Sequence, residues 1–280
     1  MLRLLKIEWN KIFYYKATRI FTFIYFGMLV VFGLILAVIR PEIGGVKLDI
    51  AKLGMFNFPE IWQNVTYLVA IGKIFIAVIL ITNVTNEYSN GTLKQNLIDG
   101  LSKKEFIGSK LLTSLSFALL SSFFVFGICM ALGLYFSESK EDMFKGIEFV
   151  AAYFFKLNLF FSICLFLSVL LRKTAFAFLG LFVLWMLEGL ISTAEIILKK
   201  VILGDGLKNI DPYEFYISNY LPLNASSKLI DFPKMKFESF ILGGSVFEYT
   251  PVDWSFVVTS LIYSALFISL SYWLLKRRDL

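Results

Sequence analysis

The sequence contains no histidine, only two cysteines and six prolines in 280 residues, and only 17% of its residues are charged. Without imidazole, the usual carrier of protons near neutral pH and a common metal ligand are missing, so we expect neither catalytic residues nor a metal site. Cys129 and Cys164 both lie inside apolar blocks. They are expected to be small core thiols rather than a disulfide. No G-x-x-x-x-G-K-[ST] loop occurs, so the chain cannot cradle ATP phosphates itself.

Apolar residues are abundant instead, at 58% of the chain. Soluble domains have about 45–50% apolar and about 25% charged residues. The excess is concentrated in blocks of roughly the 20 residues that a helix needs to cross a bilayer. The first block follows a charged, aromatic stretch with no small-residue cleavage site and is expected to be a retained anchor. The sequence predicts an all-α integral membrane protein, a single transmembrane domain over 1–280 with six transmembrane helices: Ile20–Ile39, Val65–Val84, Leu111–Phe136, Phe149–Leu171, Ala175–Leu198 and Phe256–Leu275.

The orientation of the spans follows from the distribution of Lys and Arg, which accumulate in cytoplasmic loops. The two termini and the loops after spans two and four carry 14 basic and five acidic residues. The opposite side carries 11 basic and 14 acidic residues, spread over longer loops. This asymmetry predicts that both ends of the chain are cytoplasmic. It also accounts for the net charge of +6, so a nucleic-acid partner is not expected.

Residues 1–19 alternate apolar side chains with five cations. An apolar face of Leu4, Leu5, Trp9, Ile12 and Phe13 predicts an interfacial helix that lies in the headgroup plane and contacts membrane lipid. The alternative is that these cations only fix the orientation of the first span.

The segment 199–255 between spans five and six is long and contains Asp211-Pro212, Leu221-Pro222, Phe232-Pro233 and Gly243-Gly244, which break any long helix. Its apolar content predicts a small folded cap or re-entrant helices at the outer surface. An exposed linker is the alternative.

The segment 86–110 between spans two and three is predicted to form a helical hairpin. Ser89-Asn90-Gly91 can reverse the chain, and Thr92 can cap a short helix with Leu93, Leu97 and Ile98 on one side. Gly100 can end that helix in the left-handed conformation. Ser102 and Glu105 have the spacing of a capping box at the start of the next helix.

The pattern Glu87-Tyr88-x-x-Gly91-Thr92-Leu93, followed by Leu97, Ser102-Lys103 and Gly108-x-Lys110, resembles the loop of ABC-2 type permeases, the membrane subunits of exporters called type V. The interfacial helix, six spans, long outer segment and basic tail are similar too. The resemblance implies a coupling helix that docks into a separate ATPase, in two copies, which carries the ATP and Mg²⁺. It also implies a second permease copy, identical or not, and the bacterial cytoplasmic membrane. The implied ATPase-coupling residues are Glu87, Gly91, Thr92, Leu93, Leu97, Ser102 and Glu105.

Three charged residues fall well inside spans, namely Lys73, Lys156 and Glu188. Such residues cost roughly 2.5–3.5 kcal/mol each at a helix centre, so they usually pair or face water. Helical rise places all three at a similar depth below the outer ends of their spans. Glu188 is therefore a candidate partner of Lys156 or Lys73. Alternatively, each charge faces an outer cavity or snorkels separately.

Two other function classes compete with the exporter. A channel or secondary transporter driven by ion gradients usually has broken helices and paired carboxylates at the midplane, and neither pattern is evident. An intramembrane enzyme usually needs an activated nucleophile or a metal, and this chain offers no histidine for either. We therefore expect a transport subunit without enzymatic activity of its own.

Overall fold

The structure is a computed structural model that describes residues 2–38, 42–43, 46–47, 53–137, 139–199, 216–235 and 246–278. Within these ranges the chain forms ten α-helices: α1 (Leu2–Tyr14), α2 (Lys16–Val38), α3 (Ile61–Val69), α4 (Lys73–Ser89), α5 (Thr92–Ile98), α6 (Lys103–Phe136), α7 (Glu148–Leu171), α8 (Thr174–Ile197), α9 (Pro222–Lys228) and α10 (Trp254–Arg277). Short 3₁₀ helices cover Ala70–Gly72 and Ile217–Tyr220. Two antiparallel pairs join β1 (Glu42–Ile43) to β2 (Val46–Lys47) and β3 (Lys234–Met235) to β4 (Phe247–Glu248).

Five of the described helical segments are long and apolar enough to cross a membrane, namely Ile61–Ser89, α6, α7, α8 and α10. They contain the predicted spans two to six, apart from Leu198 at the end of the fifth. The 23-residue helix α2 contains most of the predicted first span, whose last residue, Ile39, lies outside the described residues. An all-α membrane protein is therefore confirmed. The count of six spans and their orientation stay predictions.

Helix α7 is the centre of the bundle and packs against α4, α6, α8 and α10. In its most apolar stretch 72% of the residues are buried inside the chain, whereas the corresponding share in α8 is 11%. Aromatic side chains fill the core around it, and the hydroxyl groups of Tyr25 and Tyr153 satisfy each other at 3.0 Å. Helix α8 therefore presents most of its surface to whatever surrounds the protomer.

The bundle has two ends, which we call the α5 end and the α9 end. At the α5 end a small second core joins α4 to α7, α10 and α5 through Val84, Leu93, Phe106, Val169 and Leu275. At the α9 end the connecting segments fold over the bundle.

The side chain of Gln63 links those connecting segments. It donates to the carbonyl of Asp231 and accepts from the hydroxyl of Thr250. Residues 216–235 of the predicted cap or re-entrant segment fold against the bundle, because α9 packs against α7, α8 and α10. The position of this segment relative to the membrane stays a prediction. Pro222 begins α9 rather than breaking a helix. The predicted breaks at Asp211-Pro212 and Gly243-Gly244 lie outside the described residues.

The predicted N-terminal helix is present as α1, but part of its apolar face packs on protein. Trp9 contacts Phe117 of α6 with ring centroids 5.0 Å apart, and Ile12 is fully buried. Phe13 stays exposed. The helix is thus held against the bundle by its inner face, while its outer face remains free.

Candidate functional site

The hairpin between α4 and α6 has defined turns at both ends of α5. Gly91 precedes α5 with a φ of +69°, and Gly100 follows it with a φ of +99°. Both values lie in the left-handed region, where a side chain is strained. The capping box at Ser102 and Glu105 is confirmed, because each side chain bonds the backbone amide of the other. These features fix the direction of α5 relative to α4 and α6.

Two details of the predicted hairpin are wrong. Thr92 does not cap α5, because Gly91 occupies the cap position and the Thr92 hydroxyl donates instead to the carbonyl of Glu87 at 3.4 Å. Leu93 and Ile98 do not lie on one side of α5. Leu93 is 1% exposed in the second core, with Leu97 packed against it, whereas Ile98 is 76% exposed. The inner side of α5 is therefore buried by apolar contacts with the rest of the chain.

A buried cluster of charges lies directly beside this hairpin, and we call it the charge network. It consists of Glu8 and Lys11 from α1, Asn83 and Glu87 from α4, and Lys110 from α6. The Lys110 ammonium bonds the carboxylates of Glu8, at 2.6 Å, and of Glu87, and the amide oxygen of Asn83 at 2.8 Å. Lys110, Glu8 and Glu87 are all at least 95% buried. Three helices distant in sequence are thus joined by one ammonium group.

Lys11 completes the charge network from its more exposed side. Its ammonium lies 3.0 Å from Glu8 and 2.9 Å from Glu87. Burial works to raise the pKa of Glu8, but Lys110 and Lys11 outweigh it and hold that pKa below its usual value. Burial likewise works to lower the pKa of Lys11, but Glu8 and Glu87 outweigh it and raise that pKa. The charge network therefore places two acidic side chains, Glu8 and Glu87, against two basic ones, Lys11 and Lys110, so that its formal charges balance.

Glu87 was the only member of the charge network that the sequence singled out as a coupling residue; Lys110 entered only as part of the hairpin pattern. The missed signal was Glu8, which lies between Leu4 and Ile12 at helical spacing on the inner face of α1. An acid in an apolar stripe needs a buried cation, and Lys110 at the start of the apolar part of α6 was available.

The intramembrane charges do not pair with each other as predicted. Both oxygens of the Glu188 carboxylate accept from backbone amides, those of Leu223 at 3.0 Å and Asn224 at 2.9 Å. The Lys156 ammonium donates to the carbonyls of Ser227 and Ile230 at 3.2 and 3.4 Å. A carboxylate thus binds the N-terminus of α9 and an ammonium binds its C-terminal end. This arrangement matches the sign of the helix dipole.

Lys73 differs from Glu188 and Lys156, because it neither pairs with an acid nor bonds the backbone of α9 in the described part of the chain. Its ammonium lies 4.5 Å from the centre of the Phe160 ring, and no carboxylate of the described residues forms a salt bridge with it. A second carboxylate of α8, Glu195, accepts from the amides of Ile217 and Ser218, each at 2.8 Å. Two positions of α8, two turns apart, therefore hold two consecutive short helices of the segment between α8 and α10.

The C-terminal tail is also tied to the α5 end. The Arg278 guanidinium donates to the carbonyls of Val169 and Leu170, which are at the end of α7. The Lys103 ammonium, at the start of α6, donates to the Arg278 carbonyl at 2.9 Å. The starts and ends of three spanning helices are thereby linked on the same face as α5.

A family model described as ABC-2 family transporter protein matches residues 2–280. No curated protein matches the sequence.

Proposed function

Because the chain belongs to the ABC-2 family of transporter proteins, we propose that it is the permease subunit of an ATP-binding-cassette exporter. ATP and Mg²⁺ bind a separate ATPase subunit, present in two copies, and a second permease copy completes the assembly. In this proposal the α5 end faces the cytoplasm and the membrane is the bacterial cytoplasmic membrane.

The observation that carries the proposal is the ordered hairpin of α4, α5 and α6. Two glycines with positive φ and a complete capping box define its turns. Leu93 packs α5 against the second core, which also contains residues of α4, α7 and α10. A displacement of α5 would therefore be transmitted to these helices. The charge network extends the same connection to α1. A partner that presses on α5 would move these helices together.

The contact surface for the ATPase is the side of α5 that faces away from the helix bundle. Lys94, Gln95 and Asp99 are exposed there, and Ile98 is the large apolar residue of that side. Leu93, which is buried, supports this surface from below. Glu87, Ser102 and Glu105 act in the same way, by holding the hairpin in place rather than by touching the partner.

The test is co-purification of the permease with its ATPase, followed by measurement of permease-stimulated ATP hydrolysis. Ile98→Asp should weaken ATPase binding about tenfold or more, since it places an unpaired charge in an apolar contact. Phe144→Asp is the matched control, because Phe144 is 57% exposed in a turn at the α9 end. Equal binding by wild type and Ile98→Asp would remove α5 as the docking element.

Orientation is tested separately by cysteine labelling. Cysteine at Asp99 or Arg277 should react only with reagent on the cytoplasmic side. Cysteine at Glu141 or Asp231 should react only with reagent on the outer side. Labelling of Asp99 and Arg277 from opposite sides would disprove the proposed topology.

A further inference from the structure

A cavity of about 420 Å³ opens beside the charge network at the bend between α1 and α2. Its walls come from the end of α1, the start of α2, the end of α4 and the start of α5. This volume is within the range of small-ligand sites. The cavity is separate from the docking surface on α5 and from the hydrogen bonds that Glu188 and Lys156 make with α9.

Part of the polar lining has no hydrogen-bond partner in the described part of the chain. The side-chain amides of Asn86, Asn90 and Asn96 line the cavity and make no hydrogen bond among the described residues. Glu87 also lines it, and its buried Oε2 has no partner in the described part of the chain. A buried carboxylate oxygen without a donor is costly, so a ligand that donates to it would be stabilised.

The charge network leaves one donor as well as one acceptor free. An ammonium has three N–H groups. Those of Lys110 are directed at Glu8, Asn83 and Glu87. Lys11 lines the cavity and, among the described residues, bonds only Glu8 and Glu87, so one of its N–H groups has no partner there. The cavity therefore offers a cationic donor and an anionic acceptor close together.

The depth of the cavity is that of lipid headgroups. Val84 and Leu111 mark the ends of the apolar runs of α4 and α6, and Glu87 and Lys110 lie just beyond them. Tyr14 and Tyr15 line the cavity and are exposed. Tyrosines are enriched at the membrane–water interface.

We propose that this cavity binds a phosphoethanolamine group, as carried by phosphatidylethanolamine. The primary ammonium donates to Glu87 Oε2, while the phosphate accepts from Lys11 and from the asparagine amides. A choline headgroup has no N–H for Glu87. A purely anionic headgroup finds no excess positive charge, because two acids and two bases balance in the charge network.

The experiment uses the purified full chain without ATPase, so its result does not depend on the proposed transport function. The chain is placed in phosphatidylcholine nanodiscs that contain phosphatidylethanolamine or phosphatidylglycerol. Thermal unfolding and native mass spectrometry report bound lipid. Phosphatidylethanolamine should bind in preference to the other two lipids and raise the unfolding midpoint most.

Variants then locate the site. Asn86→Leu and Asn96→Leu should each weaken phosphatidylethanolamine retention about fivefold, the loss typical of one hydrogen bond. Gln95→Leu is the matched control, because Gln95 is exposed on the same helix and does not line the cavity. Its retention should equal that of the wild type.

Soluble phosphoethanolamine in detergent distinguishes the source of the ligand. Stabilisation by the soluble compound that is lost in Asn96→Leu supports the same recognition chemistry with a free ligand. Stabilisation by the lipid alone shows that the acyl chains are also required. Equal binding of phosphatidylcholine, or full retention in both asparagine variants, would overturn the proposal.

Discussion

Lys110 and Glu8, which are 102 residues apart in the chain, form a buried ion pair of 2.6 Å between α6 and α1. The pair places the N-terminal helix in the same rigid body as the hairpin. Without a partner of this kind, neither charge would be stable at so low an exposure.

Lys110→Met should lower the free energy of unfolding by about 3–5 kcal/mol, because it leaves two buried carboxylates with Lys11 as the remaining cation of the charge network. Adding Glu8→Gln should recover part of this loss, since it removes one of the two carboxylates. Thermal unfolding in detergent measures both effects. Lys104→Met, at an exposed position of the same helix, should change stability by no more than about 0.5 kcal/mol. If Glu8→Gln worsened the Lys110→Met variant, the two residues would not interact as described.

Acid stability should depend on Glu8. Its pKa is held below the ordinary value by Lys110 and Lys11 against the effect of burial. The stabilisation is therefore complete above the unfolded pKa of about 4.3 and is lost as pH falls through the lower, folded pKa. Glu8→Gln should flatten the fall in unfolding temperature below about pH 4.3. If the unfolding temperatures of the wild type and of Glu8→Gln fell in parallel at acid pH, this prediction would be contradicted.

Gly91 tests the turn at the start of α5. A Cβ at this position would meet no atom within 4 Å, so any cost comes from its φ of +69° alone. Gly91→Ala should cost about 1–2 kcal/mol, and Gly91→Val should cost more. Gly127→Ala is the control, because Gly127 lies inside α6 with equally open space and no positive φ. In the proposed complex with the ATPase, stimulation of ATP hydrolysis should fall with Gly91→Val and not with Gly127→Ala.

The attachment of α9 can be followed with a cysteine at Ser226, which is fully buried. In a background with Cys129 and Cys164 replaced by alanine, Glu188→Ala should raise the labelling rate of Ser226→Cys about tenfold or more. The reason is that two charge-assisted hydrogen bonds to the start of α9 are lost. Glu195→Ala, which frees only the preceding 3₁₀ helix, should have a smaller effect. Lys156→Met should add to Glu188→Gln, and a rescue instead would indicate a direct ion pair.

The local features of this fold were predictable because each depends on neighbours in sequence. The apolar length of the spans, the capping box at Ser102 and the left-handed Gly100 are of this kind. The partners of buried charges were not predictable from depth alone. Backbone groups at the ends of α9 carry partial charges. Glu188 and Lys156 bond these backbone groups instead of the oppositely charged side chains that were predicted as their partners. The inward direction of Leu93 likewise depended on an apolar core that α4, α6, α7 and α10 form together.

Lys156 and Glu188 also fix the distance between α7 and α8, because they bind opposite ends of α9. Helix α9 has seven residues, and is therefore about 10 Å long. Since it is bound by α8 at one end and by α7 at the other, it acts as a strut of fixed length between those two helices. Any movement that parts α7 from α8 at this depth must first break the hydrogen bonds at one end of the strut. The α9 end should therefore open in a single step rather than by gradual widening.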